Sequence, residues 1–279
     1  MRRAVPLLAS LALAGGGALL AWRASDRRAD RAEAARLRAR QPRLPSRFDP
    51  AMVDGLPEPA RRFLRAAIAP GTPLRPVAEI EMAGTFAMGD GAAPKILAMR
   101  ATQTHAAPHG FVWAMRARGG PYVLSGSDSA TWTRFWMGGV VPVARRGGDA
   151  DHARAAFGRM VAEAAIWTPA AVLPGPSVEW SAPAPDVARV TMRAGALSQS
   201  VDLALSAAGR PRRVTFRRWT DANPERVWRH QPFGATLSAF RTFGGVTVPT
   251  HVEAANMFGT PEHFTFFVAD VTALRFPPD

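Results

Sequence analysis

The sequence predicts an α+β fold: a large curved antiparallel β-meander, a half-barrel, packed on one or two helices and preceded by an N-terminal transmembrane helix. Three observations carry this. Segments with a two-residue period recur along the chain and are joined by short glycine-bearing turns rather than helical crossovers, which is the pattern of antiparallel pairing. Only two segments after the N-terminal region carry helix start and stop signals. The chain also opens on a 19-residue run without a charge, Ala4 to Trp22, close to the roughly 20 residues that cross a hydrocarbon core as a helix.

In order along the chain, residues 1–25 are a transmembrane anchor or a signal segment. The run is longer than the usual export-signal core and is followed by a poor small-x-small cleavage pattern, so a retained anchor is favoured. Residues 26–47 are a basic juxtamembrane helix and a Pro-rich linker. Asp26 to Gln41 is rich in alanine, arginine and leucine, lacks glycine and meets Pro42. With too few apolar residues to bury a face, it reads as a solvated or headgroup-lying stem. Residues 48–279 form a single domain. Within it Leu56 to Ile68 predicts a short amphipathic helix ended by Pro70 and Gly71. Hairpins are expected over Glu79–Met88 with Lys95–Thr104, Phe111–Arg118 with Tyr122–Ser125, Ser198–Ser206 with Pro211–Trp219, and Ala235–Phe243 with Val246–Ala254. His263 to Phe276 adds one strand or two. Asp149 to Ile166 interrupts them as a helix, capped by Asp149 or Asp151 and stopped by Pro169. One continuous sheet buries more surface than two half-sheets and is the expected arrangement.

The formal charge is +13, with a single lysine, Lys95. From Met1 to Arg65 fourteen arginines face six acids, so +8 of that excess sits at the front. A basic stretch directly after an apolar span suits anionic headgroups, so the membrane is the expected partner and nucleic acid is not. The absence of cysteine excludes disulfides, thiolate metal sites, cysteine nucleophiles and lipidation at cysteine. No phosphate-cradling loop, dinucleotide fingerprint, nucleophile elbow or H-E-x-x-H motif is present. No cofactor or metal site and no catalytic residue is assigned. Oligomeric state is not readable.

The strongest compositional signal is an apolar surplus on the strands. Met99, Phe111, Trp113, Met115, Trp132 and Trp136 join thioethers and large rings that suit an adaptable apolar cavity, although ordinary core packing uses the same residue types. On the interrupting helix Arg159 and Glu163 are four residues apart and followed by Trp167. The pair either lies beneath the sheet, lines the cavity and meets a polar headgroup, or is an exposed helical pair. These nine residues are the candidate ligand-binding set.

Leu56–Leu74, Gly110–Ala117, Ala153–Pro174 with its Trp-x-Pro end, Pro232–Gly234 and Phe243–Ala254 resemble a bacterial family of membrane-anchored proteins defined only as a domain of unknown function. That resemblance implies a bacterial cell membrane and a single-pass chain whose domain faces outward. Arg2 and Arg3 support this orientation, and the arginines after the span oppose it. A looser likeness, on G-R-P-x-x-V (Gly209–Val214) and G-G-V-T-V-P (Gly244–Pro249), is to the half-barrel carriers of lipoproteins and lipids in the periplasm. Those carriers are soluble or anchored through a cysteine, which this chain lacks.

Together these features point to a membrane-tethered, non-catalytic protein binding a hydrophobic or lipid-like molecule. The alternatives are a hydrolase of a cell-envelope component using Ser127, Asp128 and His109, which then must converge, and a structural or partner-binding module with a filled core.

Overall fold

Helix α1 (Ala4–Arg38) and helix α2 (Glu58–Ala67) come before the first strand. The computed structural model describes residues 4–277 apart from 90 and 92, with side chains from residue 15 onward. Six strands follow: β1 (Ala78–Met88), β2 (Lys95–Ala106), β3 (Gly110–Gly119), β4 (Tyr122–Ser129), β5 (Trp132–Met137) and β6 (Val141–Gly147). Helix α3 (Ala150–Trp167) interrupts them. Seven more complete the chain: β7 (Val178–Ala184), β8 (Val187–Ala194), β9 (Leu197–Leu205), β10 (Pro211–Thr220), β11 (Arg229–Phe243), β12 (Val246–Asn256) and β13 (Phe264–Arg275).

All thirteen form one open sheet in the order β6-β5-β4-β3-β2-β1-β13-β12-β11-β10-β9-β8-β7. The first six strands walk outwards from the middle, α3 returns the chain to the opposite edge, and the last seven walk back until β13 closes against β1. Every neighbouring pair is antiparallel, and each except β1–β13 is joined by a loop without a helical crossover, several of them two-residue turns. One such turn is Gly244-Gly245, with φ of 56° and 88°, joining Phe243 to its partner Val246. Both glycines occupy the left-handed region that a type I′ hairpin demands.

The sheet is curled, and α3 sits inside the curl. Helix α3 touches β2 and β3 on one flank and β9, β10 and β12 on the other. Between β3 and β9 lie seven strand spacings, about 34 Å if flat. An 18-residue helix is only about 27 Å long. It can reach both flanks only because the sheet wraps around it. Sequence fixes the helix at both ends: the Asp149 side chain accepts from the His152 N–H at 2.7 Å, and Pro169 follows its last residue by two. Helix α2 packs on β7, β8 and β12, burying Phe63 and Leu64.

The four predicted hairpins and both helices lie where the alternation puts them. Strands β5 to β8 were not predicted. Strand β5 carries large or charged residues on both faces because both are covered, and β6 is an exposed edge, so neither alternates cleanly. Strands β7 and β8 are alanine- and valine-bearing with short turns, weak signals beside their neighbours.

One face of the stem is docked rather than solvated, which departs from its expected character. It lies on the convex face of the sheet, packed on β2 and β3, with Asp26 and Leu37 buried. Polar anchors substitute for the missing apolar stripe. Asp26 takes both guanidinium nitrogens of Arg145 at 2.8 Å and the Trp136 indole at 2.9 Å. Asp30 accepts from the Ser127 hydroxyl at 2.7 Å. Beyond the helix end, the Gln41 amide bridges Val77 and Pro277. Among the described residues no helix is long and apolar enough to cross a membrane. The side chains of residues 4–14, the first part of the predicted span, lie outside the described residues.

Candidate functional site

Successive side chains on a strand point to opposite faces, so β3 divides into two sets. Phe111, Trp113, Met115 and Ala117 enter the main core under α3. Val112, Ala114 and Arg116 face the convex side, under and beside α1. The same rule sorts the candidate residues.

On the concave side, α3 and the sheet line a partly open cavity of about 240 Å³. Its walls are aromatic. Trp113 lies edge-on to Phe135 and Phe267, with ring centroids 6.3 and 6.1 Å away, and Phe233 and Phe266 continue the wall at 6.0 Å. A register shift opposite Ala254 and Ala255 leaves Phe266 as an extra residue in β13. This bulge lets both Phe266 and Phe267 reach the cavity, where strict alternation allows only one.

A charged cluster forms part of the same wall. The Arg159 guanidinium donates to Glu163 Oε1 at 2.7 Å and to Asp128 Oδ2 at 2.6 Å, and stacks over Phe111 and Trp113. The second oxygen of each carboxylate is also taken, Glu163 Oε2 by the Gln103 amide at 2.6 Å and Asp128 Oδ1 by the Thr133 hydroxyl at 2.5 Å. Burial opposes the charge on Arg159, but the two carboxylates outweigh it and raise its pKa. Arg218 of β10 lines this cavity as well. Burial, together with repulsion from Arg159, lowers its pKa to about 10.

Below this cluster His105 is fully buried. Its Nε2 lies 3.1 Å from the Met160 carbonyl and its Nδ1 3.2 Å from the Thr168 hydroxyl. Only an Nε2–H can donate to a carbonyl, so Nδ1 accepts from Thr168. Burial holds its pKa below 6.5. The neutral ring ties β2 to α3.

Of the nine candidate residues, Trp113, Arg159, Glu163 and Trp167 line this cavity. Met99, Phe111 and Met115 are core residues of the same concave side. Trp132 and Trp136 do not join them. They stand on the convex face, where Trp136 donates to Asp26 and Trp132 to Ser127. Their positions have the opposite parity on β5 from the cavity residue Phe135, a distinction invisible until register and turn length are known.

Ser127, Asp128 and His109 do not converge. Ser127 points to α1 and Asp128 to α3, being adjacent on β4. His109 follows the β2 turn beneath the end of α1, where Arg36 reaches its carbonyl. The hydrolase alternative therefore has no shared site for these three groups.

Reading the sequence missed Arg218, Phe233, Phe266 and Phe267. For Arg218 a signal was present: Val214, Phe216, Arg218 and Thr220 share one parity on β10, and the first two belong to the core. A cation at an apolar register position is a flag for a site.

The convex side has its own groove, about 500 Å³, between α1 and strands β1 to β5. It is lined by Arg23, Arg27, Arg31, Arg100, Arg116 and Arg134 against three carboxylates. Burial raises the Asp30 pKa there, with Ser127 and Arg134 opposing it.

A family model described as a family of unknown function, DUF6544, matches residues 46–269. The chain belongs to that family. The DUF6544 region thus takes in the whole sheet except the end of β13, together with α2 and α3, whereas α1 lies before it. No curated protein matches the chain. Two solved structures are similar to it: a LolA superfamily protein from Nitrosomonas europaea, with 11% identity, 78% of this chain and 92% of that chain covered and a TM-score of 0.41, and a putative outer membrane lipoprotein-sorting protein domain from Vibrio parahaemolyticus, with 10% identity, 72% and 85% covered and a TM-score of 0.37.

Proposed function

We propose that this DUF6544 protein is a membrane-tethered, non-catalytic binding protein whose concave cavity takes up a hydrophobic or lipid-like molecule. The observation that carries the reading is the unfilled, aromatic-walled space between α3 and the curled sheet. Phe135, Phe233, Phe266 and Phe267 in the wall of this hollow of about 240 Å³ are only partly buried, and a guest would remove that apolar surface from water. The volume is just below the roughly 300 Å³ at which small-molecule sites begin. It suits one alkyl chain rather than a whole two-chain lipid.

The tether rests on the apolar run Ala4 to Trp22 and on what surrounds its end. Leu20 and Trp22 are exposed, as are Val140, Val141 and Val143 of the β5–β6 hairpin. They are neighbours, since Arg23 donates to the Gly139 carbonyl and Arg145 stacks over Trp22 at 4.4 Å. Trp beside arginine at the end of an apolar helix suits a membrane–water interface. The bacterial cell membrane is the proposed location, with the domain facing outward and Arg2 and Arg3 kept inside.

Native mass spectrometry of the full chain released from its own membrane tests the binding reading. A co-travelling mass of a single-chain amphiphile is the expected result, and its loss in Ala162→Phe, which fills the cavity from α3, would tie it to this site. A bare chain mass, with no uptake of an added alkyl probe, overturns the reading. Alkaline carbonate washing tests the tether, which predicts that the chain stays with the membrane.

A further inference from the structure

Arg218 is a cation without a direct partner, although Asp128, Glu163 and Asp221 act on it from a distance and favour its charge. Among the described residues it makes no hydrogen bond or ion pair, and only the Phe233 ring, 4.7 Å from its guanidinium, faces it closely. Its Nε is sealed from solvent and unpartnered. Two other arginines have a sealed Nε, Arg62 and Arg75, but their outer nitrogens are bonded, to the Pro185 and Phe276 carbonyls. The cavity's own carboxylates make their hydrogen bonds to other groups. Both oxygens of Asp128 and both of Glu163 are already engaged by Arg159, Gln103 and Thr133. A second sealed and unpartnered donor, the Trp113 indole N–H, belongs to the same wall.

Leaving a sealed donor unmatched is costly, and because only Nε of Arg218 is sealed, its outer nitrogens can meet a guest. Two unpartnered donors at the charged end of an aromatic-walled cavity suit an oxygen anion attached to something greasy. Arginine matches carboxylate and phosphate through paired N–H groups better than any other side chain.

We propose that the cavity's guest is an amphiphile with an acidic head, a carboxylate or a phosphate monoester, which Arg218 and the Trp113 indole hold while its alkyl chain lies among Phe135, Phe233, Phe266 and Phe267. The inference rests on the reading of the concave cavity as a binding site and names the ligand class. Arg159 then has a separate duty: it neutralises Asp128 and Glu163, which otherwise repel the incoming anion.

Isothermal titration of the full chain in amphipol, with decanol, decanoate and decyl phosphate at pH 8, tests this. Wild-type protein should bind at least one acidic probe about tenfold or more tighter than decanol, the scale of a charged hydrogen bond. The tighter of the two acids distinguishes a fatty-acid head from a phosphate head. Arg218→Met should lose that preference while keeping decanol affinity, and Arg218→Lys should keep part of it. Without ligand, Arg218→Met should melt at or above wild type, because it removes a charge that the empty fold does not pair. Equal binding of all three probes by wild type overturns the acidic head and leaves the apolar cavity standing. An acid preference surviving in Arg218→Met, or a lowered melting temperature with loss of decanol binding, overturns the role of Arg218. No binding of any probe overturns both readings.

Discussion

The two faces of the same strands solve opposite problems. On the concave face, β3 to β5 give Trp113, Asp128, Thr133 and Phe135 to an apolar cavity with one charged end. On the convex face they give Arg116, Ser125, Ser127, Arg134 and Trp136 to a groove held open under a polar helix. The concave side is stabilised by burying area around α3 and leaves a void. The convex side docks α1 through Asp26 and Asp30 together with a small apolar cluster of Leu37, Val77, Ala106 and Val112 and the Trp22–Trp136 contact. A helix with few apolar residues can therefore pack where carboxylates placed over indoles, hydroxyls and guanidiniums supplement a small apolar cluster. A network of that kind is more sensitive to single changes, because each lost partner strands another polar group.

The largest effect should come from the concave network. Arg159→Met leaves Asp128 and Glu163 facing each other in a poorly solvated wall, and should cost about 3 kcal/mol or more, the range for breaking a buried pair from one side. Urea unfolding followed by tryptophan fluorescence measures it. A loss under 1 kcal/mol makes the cluster a surface-like one and weakens the contrast between the faces.

On the convex side, Asp26→Asn should cost about 2 kcal/mol through its charged hydrogen bonds and should expose α1 to trypsin near Arg27 and Arg28 with the sheet intact. Burial alone would raise the Asp26 pKa, but Arg145 and Trp136 hold it below 3.8. Its contribution is therefore present at neutral pH and fades only as the pH falls through the acid range. If the whole domain unfolds together, α1 is part of the core and not a docked strap.

His105 gives a smaller and pH-dependent effect. Its folded pKa lies below the 6.5 of the free ring, so below that pH the unfolded chain takes up a proton the native chain refuses. Stability is full above about pH 6.5 and falls on acidification by at most about 1.4 kcal/mol per pH unit. His251 acts in the opposite sense, since its hydrogen bond to Asp270 raises its pKa. Comparing wild type with His105→Gln between pH 8 and 5 isolates the buried ring, and identical profiles would refute its role.

The smallest effect on stability is expected for Ala162→Leu, which projects a methyl-bearing branch from α3 into the cavity. Its stability should stay within about 1 kcal/mol of wild type, while decanol uptake falls sharply. Unchanged uptake would mean the guest lies elsewhere, the convex groove being the next place to look.

Much of the fold was legible in the sequence, and for physical reasons. Alternation in β1, β2, β9, β10 and β12 survives because one face of each meets the core and the other meets water or polar groups. Strand β5 was opaque because α1 covers its second face, so Trp132 and Trp136 look like core residues without saying which core. The site was half legible. Arg159 and Glu163 were identifiable by helical spacing, and Trp113 and Trp167 by size. Asp128 was grouped with Ser127 as though neighbours in sequence share a site, which a strand forbids.

The sequence by itself determined the strand and helix segments, their antiparallel connection and the apolar start, because periodicity, turn glycines and caps act over a few residues. The tertiary structure alone decided which tryptophans meet the cavity, that the stem is strapped to the sheet, and that Arg218 is left without a direct partner. Those facts depend on how far the sheet curls and on register between strands far apart in the chain. Contacts of that range are set by the balance of burial over the whole sheet and not by any local pattern.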